Sequence, residues 1–403
     1  MAAAAAFLQI VGCGPASAPH GETESGTGLA GTESIAGIGA ALHSAILLRD
    51  PIVRTRAIFS ALEPISPASS EGLAAWLDRR LFDLDFVDLA LIVQAWTVAD
   101  PSAAMAWVMD QNAPHFERSL MVALPAYARV DFTAARGALS RALSTVTSSD
   151  GVLLKVELVK GGYDAGAPEL IDYLVEMGPL PERQTILRQL VRRKLLRESP
   201  EAVIDWVDSL SAPDDVNLKY SALLKLGVEL PAVDAELAKE WALRAHGDEF
   251  DSRLLETVTR GFTWNGRARE AFDWLLGLQE QEHASQALAF AFGAWLKQDP
   301  AGASAWIRGA THDGRSDPAL RQYGLSVLES DGPEMALAWI ERIRNPAERE
   351  RGRFQYARRW FGFDPDAARE WVEGQDFDET TRSQIVAAHA RHGSGPDQPE
   401  RRP

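Results

Sequence analysis

Apolar residues return along this chain every three or four positions, with polar residues between them. That spacing lines one face of a helix. Leu73, Trp76, Leu77 and Leu81 show it over residues 71–81. Val87 to Val98 repeats it, with Trp96 near its end. The pattern begins at Ile35 and predicts helices almost to the C-terminus. It predicts no strand, because no alternating β-branched run is bounded by Asn-Gly or Asp-Gly turns. Asp150-Gly151 and the stretch from Lys160 to Gly166 read as a loop where the pattern is irregular.

One device separates the helices, and it is clearest from Phe292 to Trp306. The Asp299 carboxylate can accept from the free N–H groups of the next helix's first turn. Pro300 suits the first helical position, and it forces the residue before it out of the helical region. One helix must therefore end where the next begins. Ala303 and Trp306, three apart, share one face of the new helix. The fold-back brings Trp295 and Trp306 together across a tight helix pair.

The device recurs at Asp100-Pro101 with Trp107, Ser199-Pro200 with Trp206, Gly332-Pro333 with Trp339 and Asp364-Pro365 with Trp371. Trp241 and Trp274 keep the Ala three residues before them but lack the Pro. Degenerate copies put Ala138, and Tyr173 or Leu174, at the Trp position. From Trp206 to Trp371 the successive spacings are 35, 33, 32, 33 and 32 residues. Trp96, Trp295 and Trp360 each fall eleven residues before the next Trp. A period near 33 is one helix–turn–helix per repeat. The expected fold class is all-α: a right-handed α-solenoid of about ten such repeats over residues 35–391. Trp96, Trp107, Trp206, Trp241, Trp274, Trp295, Trp306, Trp339, Trp360 and Trp371 are its structural anchors.

Composition changes the picture in two ways. The 403-residue chain carries 41 basic and 57 acidic residues, a net charge of −16, which argues against a nucleic-acid footprint. Its single cysteine, Cys13, excludes an intrachain disulfide. Cys13 ends an apolar run, Met1 to Val11, through Ile10-Val11-Gly12-Cys13. That tetrad resembles the bacterial lipobox, whose Cys is lipidated and becomes the first residue. The resemblance implies a signal segment at 1–12, lipidation at Cys13, and a flexible tether over 13–34. No Lys or Arg precedes the apolar run, although signal peptides ordinarily carry one. The alternative is an Ala-rich N-terminus with an incidental Cys. Residues 392–403 read as a disordered tail.

The stretch Asp-Pro-Ala-Gly-Ala-Ser-Ala-Trp at 299–306 resembles the junction of tetratricopeptide repeats, and the period agrees over roughly residues 87–375. After Trp306 the chain has Ile307-Arg308-Gly309-Ala310, where that family continues into Leu-Gly and then Tyr. The resemblance is thus to the junction, in a divergent tetratricopeptide-like or HEAT-like solenoid. It implies a scaffold or binding role and no chemistry.

Few residues suggest chemistry. His389 and His392 share a helix turn but lack a third metal ligand nearby. Asp83, Asp85 and Asp88 lack the Gly and the closing Glu of a calcium loop, and read as a loop and helix start. Arg188, Arg192, Arg193, Lys194 and Arg197 form a basic helix face, read as solvated, with an anion or acidic-peptide site as the alternative. On that helix Ile186, Leu187, Leu190, Val191, Leu195 and Leu196 are expected to face inward. The Arg-rich run 342–359, interleaved with Glu341, Glu348 and Glu350, reads as ion-paired surface. The Trp series reads as core rather than as a stacking platform for sugars.

No catalytic, cofactor-binding or metal-binding motif stands out, and no cofactor is expected. The expected function is non-enzymatic: a scaffold or adaptor that binds proteins or peptides at the bacterial cell envelope, held to the membrane through Cys13 on the periplasmic or outer face. One alternative is a helical-superstructure or α/α-toroid hydrolase acting on cell-wall glycan, with a carboxylate pair such as Glu256 and Asp273. Another is a cytoplasmic solenoid binding module.

Overall fold

A computed structural model of the chain describes residues 29–110, 115–144, 146, 148–210, 216–244, 248–278, 284–310 and 313–392. The described residues form twenty-two α-helices and no strand, so the protein is all-α. Cys13, the signal segment and the tail from residue 393 lie outside the described residues, as do the side chains of His389 and His392. The chain divides into two compact units, Met1–Asp150 and Gly151–Pro403.

The first unit holds α1 (Leu29–Ile46), α2 (Pro51–Leu62), α3 (Ser70–Arg80), α4 (Phe86–Ala99), α5 (Pro101–Met109), α6 (His115–Val130) and α7 (Phe132–Ala142). The first helix begins at Leu29, inside the stretch that the sequence assigns to the tether. Helix α1 packs on α2, and α4, α5, α6 and α7 pack each on the next; α3 lies against α1 and α5, α2 against α4, and α4 against α6.

In the second unit, long and short helices alternate. The long ones are α8 (Ser148–Ala165, which starts just before the boundary), α10 (Pro181–Arg197), α12 (Val216–Val233), α14 (Asp248–Trp264), α16 (Ser285–Gln298), α18 (Asp317–Val327), α20 (Pro346–Trp360) and α22 (Glu379–His392). The short ones are α9 (Leu170–Glu176), α11 (Pro200–Ser209), α13 (Ala235–Ala242), α15 (Ala268–Leu276), α17 (Pro300–Gly309), α19 (Pro333–Ile340) and α21 (Pro365–Glu373). From α10 to α22 each long helix packs on the next long one. Each short helix from α11 to α19 rests on the long helices before and after it.

The junction device has one geometry in both units. Asp100, Asp299 and Asp364 adopt φ of −147°, −140° and −142° with ψ of 84°, 81° and 80°. The N–H of each donates to the carbonyl of Trp96, Trp295 or Trp360 at 2.7, 2.7 and 2.9 Å, closing the old helix. Each carboxylate accepts from the backbone N–H three residues on, at 3.1, 2.9 and 3.2 Å, opening the new one. Asp131 and Asp234 do the same without a following Pro. The Trp rings then meet across the fold-back: Trp96–Trp107 at 5.7 Å, Trp295–Trp306 at 6.2 Å and Trp360–Trp371 at 6.3 Å, tilted by 49°, 58° and 49°. Ala104, Ala238, Ala271, Ala303, Ala336 and Ala368, each three residues before a Trp, are completely buried. A methyl at that position lets the short helix settle onto its long neighbours.

Glycines set how closely the long helices approach. A Cβ on Gly261 of α14 would lie 2.5 Å from the Val228 carbonyl oxygen and 2.8 Å from Pro231 of α12. A Cβ on Gly227 of α12 would reach Thr257 of α14 at 3.1 Å. Backbone therefore meets backbone at this crossing. A Cβ on Gly293 of α16 would instead meet a side chain, that of Gln322 of α18, at 3.0 Å.

Two local expectations are corrected. Asp150-Gly151 and Lys160 to Ala165 are helical, within α8. Gly161 and Gly162 are buried there, and packing outweighs the roughly 1 kcal/mol that each Gly costs a helix. The end of α8 is also bonded to α10, through Tyr163 to Glu198 and through Asp164 to Arg193 and Arg197. On α10, Ile186, Leu187, Leu190, Val191 and Leu195 are buried, but Leu196 is 84% exposed and Lys194 is buried. One helical step past Leu195 turns Leu196 to the outside.

Candidate binding groove

Two depressions flank the short helix α15. The turn into it is fixed by Gly266, whose φ of 75° suits glycine, with the Arg267 N–H donating back to the Phe262 carbonyl at 3.0 Å. Helix α15 then buries Ala268, Ala271, Phe272 and Leu275. Its opposite face presents Arg269 and Asp273.

On one flank a space of about 630 Å³ is bounded by Lys239 of α13, by Arg267, Arg269, Glu270 and Trp274, and by Trp295 and Gln298 of α16. On the other, a space of about 390 Å³ is bounded by Asp273 and Leu276, by Trp306 and Ala310, and by Asp313 and Arg315. Asp273 lines both.

The floor is aromatic. Trp306 stands edge-on to Phe272 at 4.7 Å, and Trp274 tilts against Phe262 at 6.1 Å. Trp274 and Trp306 are only partly buried, so ring surface remains at the groove.

The rim is charged, and most of its charges are paired. Arg267 donates twice to Glu270, at 2.8 Å each, and to the Pro231 carbonyl at 3.1 Å. Lys239 bridges Glu236 at 2.6 Å and Glu270 at 3.0 Å. Burial alone would push the Glu270 carboxyl up, but hydrogen bonds from Arg267 and Lys239 outweigh it and hold it below the ordinary value. Burial would likewise lower Lys239, and its two carboxylate partners hold it above the ordinary value. A carboxylate held low in this way is poorly suited to donate a proton as a general acid. The loosest pair is Arg269–Asp273 at 3.6 Å, with both side chains more than half exposed. In water such a pair contributes little, so both groups are available to a ligand at small cost. The Arg269 guanidinium also lies over the Trp295 ring, 5.2 Å from its centroid.

Comparison of the chain with protein-family models, with curated proteins and with solved structures gave no match. The groove therefore has to be judged on its own chemistry.

The sequence-level candidates fall as follows. Trp96, Trp107, Trp241, Trp295 and Trp339 are buried. Trp206, Trp274, Trp306, Trp360 and Trp371 are partly buried and pack against the core of the second unit. Trp264, outside the periodic set, is 61% exposed, with Arg188 over its ring at 5.2 Å.

Asp85 caps α4 and pairs with Arg54 at 2.8 Å, Asp88 faces Arg54 at 3.3 Å, and Asp83 pairs with Arg80 at 3.2 Å. The acidic cluster is thus a helix start tied to its neighbours. Among the described residues no three His, Cys, Asp or Glu side chains are grouped to hold a metal.

The basic face of α10 is committed to the helices beside it. Arg188 and Arg192 pair with Glu229 at 2.6 and 3.4 Å, and Arg193 and Arg197 with Asp164. Lys194 pairs with Glu198 at 2.8 Å and lies over the Tyr163 and Trp206 rings. In the Arg-rich run, Arg353 pairs with Glu341 at 2.6 Å and Arg351 with Glu348. Buried Arg321 reaches Glu348 at 3.2 Å and Gln355 at 2.8 Å, which joins α18 to α20.

Glu256 sits in α14 and lines neither depression, whereas Asp273 lines both. Among the described residues no hydrogen bond or ion pair joins the two. Sequence reasoning missed Arg267, Arg269 and Glu270. Their signal was present: polar residues on a short helix between the buried Ala271 and the end of the preceding helix.

Proposed function

We propose that the protein is a non-enzymatic scaffold or adaptor that binds protein or peptide segments across its short helices. In this reading the helices form a right-handed solenoid of about ten helix–turn–helix units with a period near 33 residues, divergent from tetratricopeptide and HEAT repeats. The chain is held at the bacterial cell envelope by a lipid on Cys13.

The observation that carries the binding role is the pair of depressions on either side of α15. They have an aromatic floor and share one loosely held charge pair, Arg269 and Asp273. Helix α15 stands between them, and a helix with its side chains is roughly 10 Å across. An extended segment in the polyproline conformation rises about 3.1 Å per residue and returns to the same face every three residues. Side chains three apart would then enter the two depressions, while Arg269 and Asp273 meet polar groups between them.

Selection of displayed peptides on the full chain tests this. Enriched peptides should carry apolar or aromatic residues three apart, and their binding should fall about tenfold or more on Asp273→Arg. Peptides that bind the Asp273→Arg chain equally well would overturn the groove assignment. Metabolic labelling with a fatty acid tests the tether: label on the wild-type chain and none on Cys13→Ser is expected. Absence of label from both would end that part of the proposal.

A further inference from the structure

A crevice of about 220 Å³ lies in the first unit, where α1 packs on α3. It is bounded by Ile38 and Gly39 of α1, by Leu73, Trp76 and Arg79 of α3, and by Ser69 in the turn before α3. Gly39 makes the room: a Cβ there would stand 3.0 Å from Cδ1 and 3.6 Å from Nε1 of Trp76. The N–H edge of the indole therefore faces the wall that Gly39 forms. Ile38 and Leu73 are buried, so the lining is largely apolar.

Two donors at this crevice have no acceptor. Trp76 is only 8% exposed, yet its N–H meets no acceptor among the described residues. A buried Trp ordinarily finds one. The other indoles of the first unit do: Trp96 donates to the Ser70 hydroxyl at 2.9 Å and Trp107 to the Asp78 carboxylate at 2.8 Å. Arg79, three residues after Trp76 on the same face of α3, is exposed and enters no ion pair among the described residues. The acids nearest it in sequence face other groups. Asp78 takes the Trp107 N–H, Asp83 pairs with Arg80, and Glu71 lies two turns earlier on α3, about 12 Å along the axis. No carboxylate among the described residues bounds the crevice. The Ser69 hydroxyl is already engaged, accepting from the Ser66 N–H at 3.3 Å. Both unmet groups are thus donors, and one is a cation. What satisfies them is an anionic acceptor joined to an apolar body.

We infer that this crevice binds a small monocarboxylate with an apolar body. One carboxylate oxygen takes the Trp76 N–H and the other the Arg79 guanidinium, a charge-assisted contact. A short chain or a single ring then lies against Ile38 and Leu73. The space equals about seven waters at roughly 30 Å³ each, which suits such a body and excludes a long acyl chain. The site belongs to the first unit and does not depend on the groove at α15.

Titration calorimetry of the full chain with hexanoate, hexanamide and hexylamine tests this. Hexanoate should bind, hexanamide about tenfold more weakly, and hexylamine not at all. Arg79→Gln should lower hexanoate binding about tenfold, to the level of hexanamide, whereas Arg79→Lys should keep the preference for the carboxylate. Trp76→Phe retains a ring but loses the N–H, and should weaken hexanoate and hexanamide alike, by about fivefold. Arg79 is exposed and unpaired, so Arg79→Gln decides the matter even if Trp76→Phe unfolds the chain. Three results would each overturn the inference: no binding of hexanoate by the parent chain, equal affinity for hexanoate and hexylamine, or an undiminished preference for hexanoate in Arg79→Gln.

Discussion

Residues 47–98 of the first unit and the stretch from α12 to α18 in the second treat their large apolar side chains differently. The former exposes Leu47, Leu48, Ile52, Val53, Phe59, Phe82, Phe86, Val87 and Val98. The latter, more than twice as long, exposes only Val233, Leu243, Trp264 and Phe290 among its described residues. The second region uses the junction in which one Asp ends a helix and caps the next, at Asp234 and Asp299, whereas Asp50 and Asp85 in the first cap a helix with a different backbone geometry. The difference lies in the faces left over. In the second unit, glycines bring the long helices together and the aromatic residues close over one another. In the first, the starts of α2 and α4 are joined by an ion pair, and their apolar residues point away from the core. The first region therefore leaves apolar side chains exposed at its helix starts, where the second closes its own into one packing surface.

Substitutions should separate the two regions. Trp295→Ala in the closed region should cost roughly 3–5 kcal/mol, read by thermal or denaturant unfolding. Gly261→Ala comes next, at about 2–3 kcal/mol, because its methyl would need the space of the Val228 carbonyl. Asp299→Ala should cost about 1 kcal/mol through the lost cap. Ile52→Ser at the exposed start of α2 should change stability by only about 0.5 kcal/mol in either direction. A loss at Ile52 as large as that at Trp295 would make the start of α2 part of a core.

Acid should act on the two regions in opposite directions. Glu270 in the second unit has a folded-state pKa below 4.5, its ordinary value. It stabilises the fold above that value, and the contribution is lost as pH falls through the lower folded-state value. Asp88 in the first unit is pushed above 3.8, first by burial and then by Asp85, against Arg54. Its protonated form is favoured in the fold, so its contribution is present at low pH and is lost as pH rises through the folded-state value. Acid unfolding curves should show Glu270→Gln reducing the loss below pH 4.5 and Asp88→Asn removing a gain in the same range. The Glu270 effect should be small, because its side chain is about a third exposed to solvent.

Much of the fold was legible because its signals are local. Asp299-Pro300 favours a helix end, and from Trp206 to Trp371 a Trp every 32 to 35 residues falls on each short helix from α11 to α21. The glycines on the long helices carry a similar spacing, at Gly227, Gly261 and Gly293, yet isolated glycines ordinarily signal turns. That rule is what hid α8 behind Gly161-Gly162. The groove was legible only in part. Buried and exposed polar residues look alike along a chain: Arg321 and Lys194 are buried while Arg269 is open. Which acid meets which base depends on the neighbouring helix, as Arg188 with Glu229 shows across 41 residues.

The proposed working surface is the face made by the short helices around α15. The most direct measurement is photo-crosslinking in the native host from a reactive residue placed at Asp273 or Ala310, compared with one placed at Arg353 on α20 or Leu196 on α10. One defined crosslinked partner is expected from the first two positions, lost on adding Arg269→Glu to the Asp273 probe, and none from the other two. Equal yields from all four positions, or a partner captured only from Arg353 or Leu196, would contradict it.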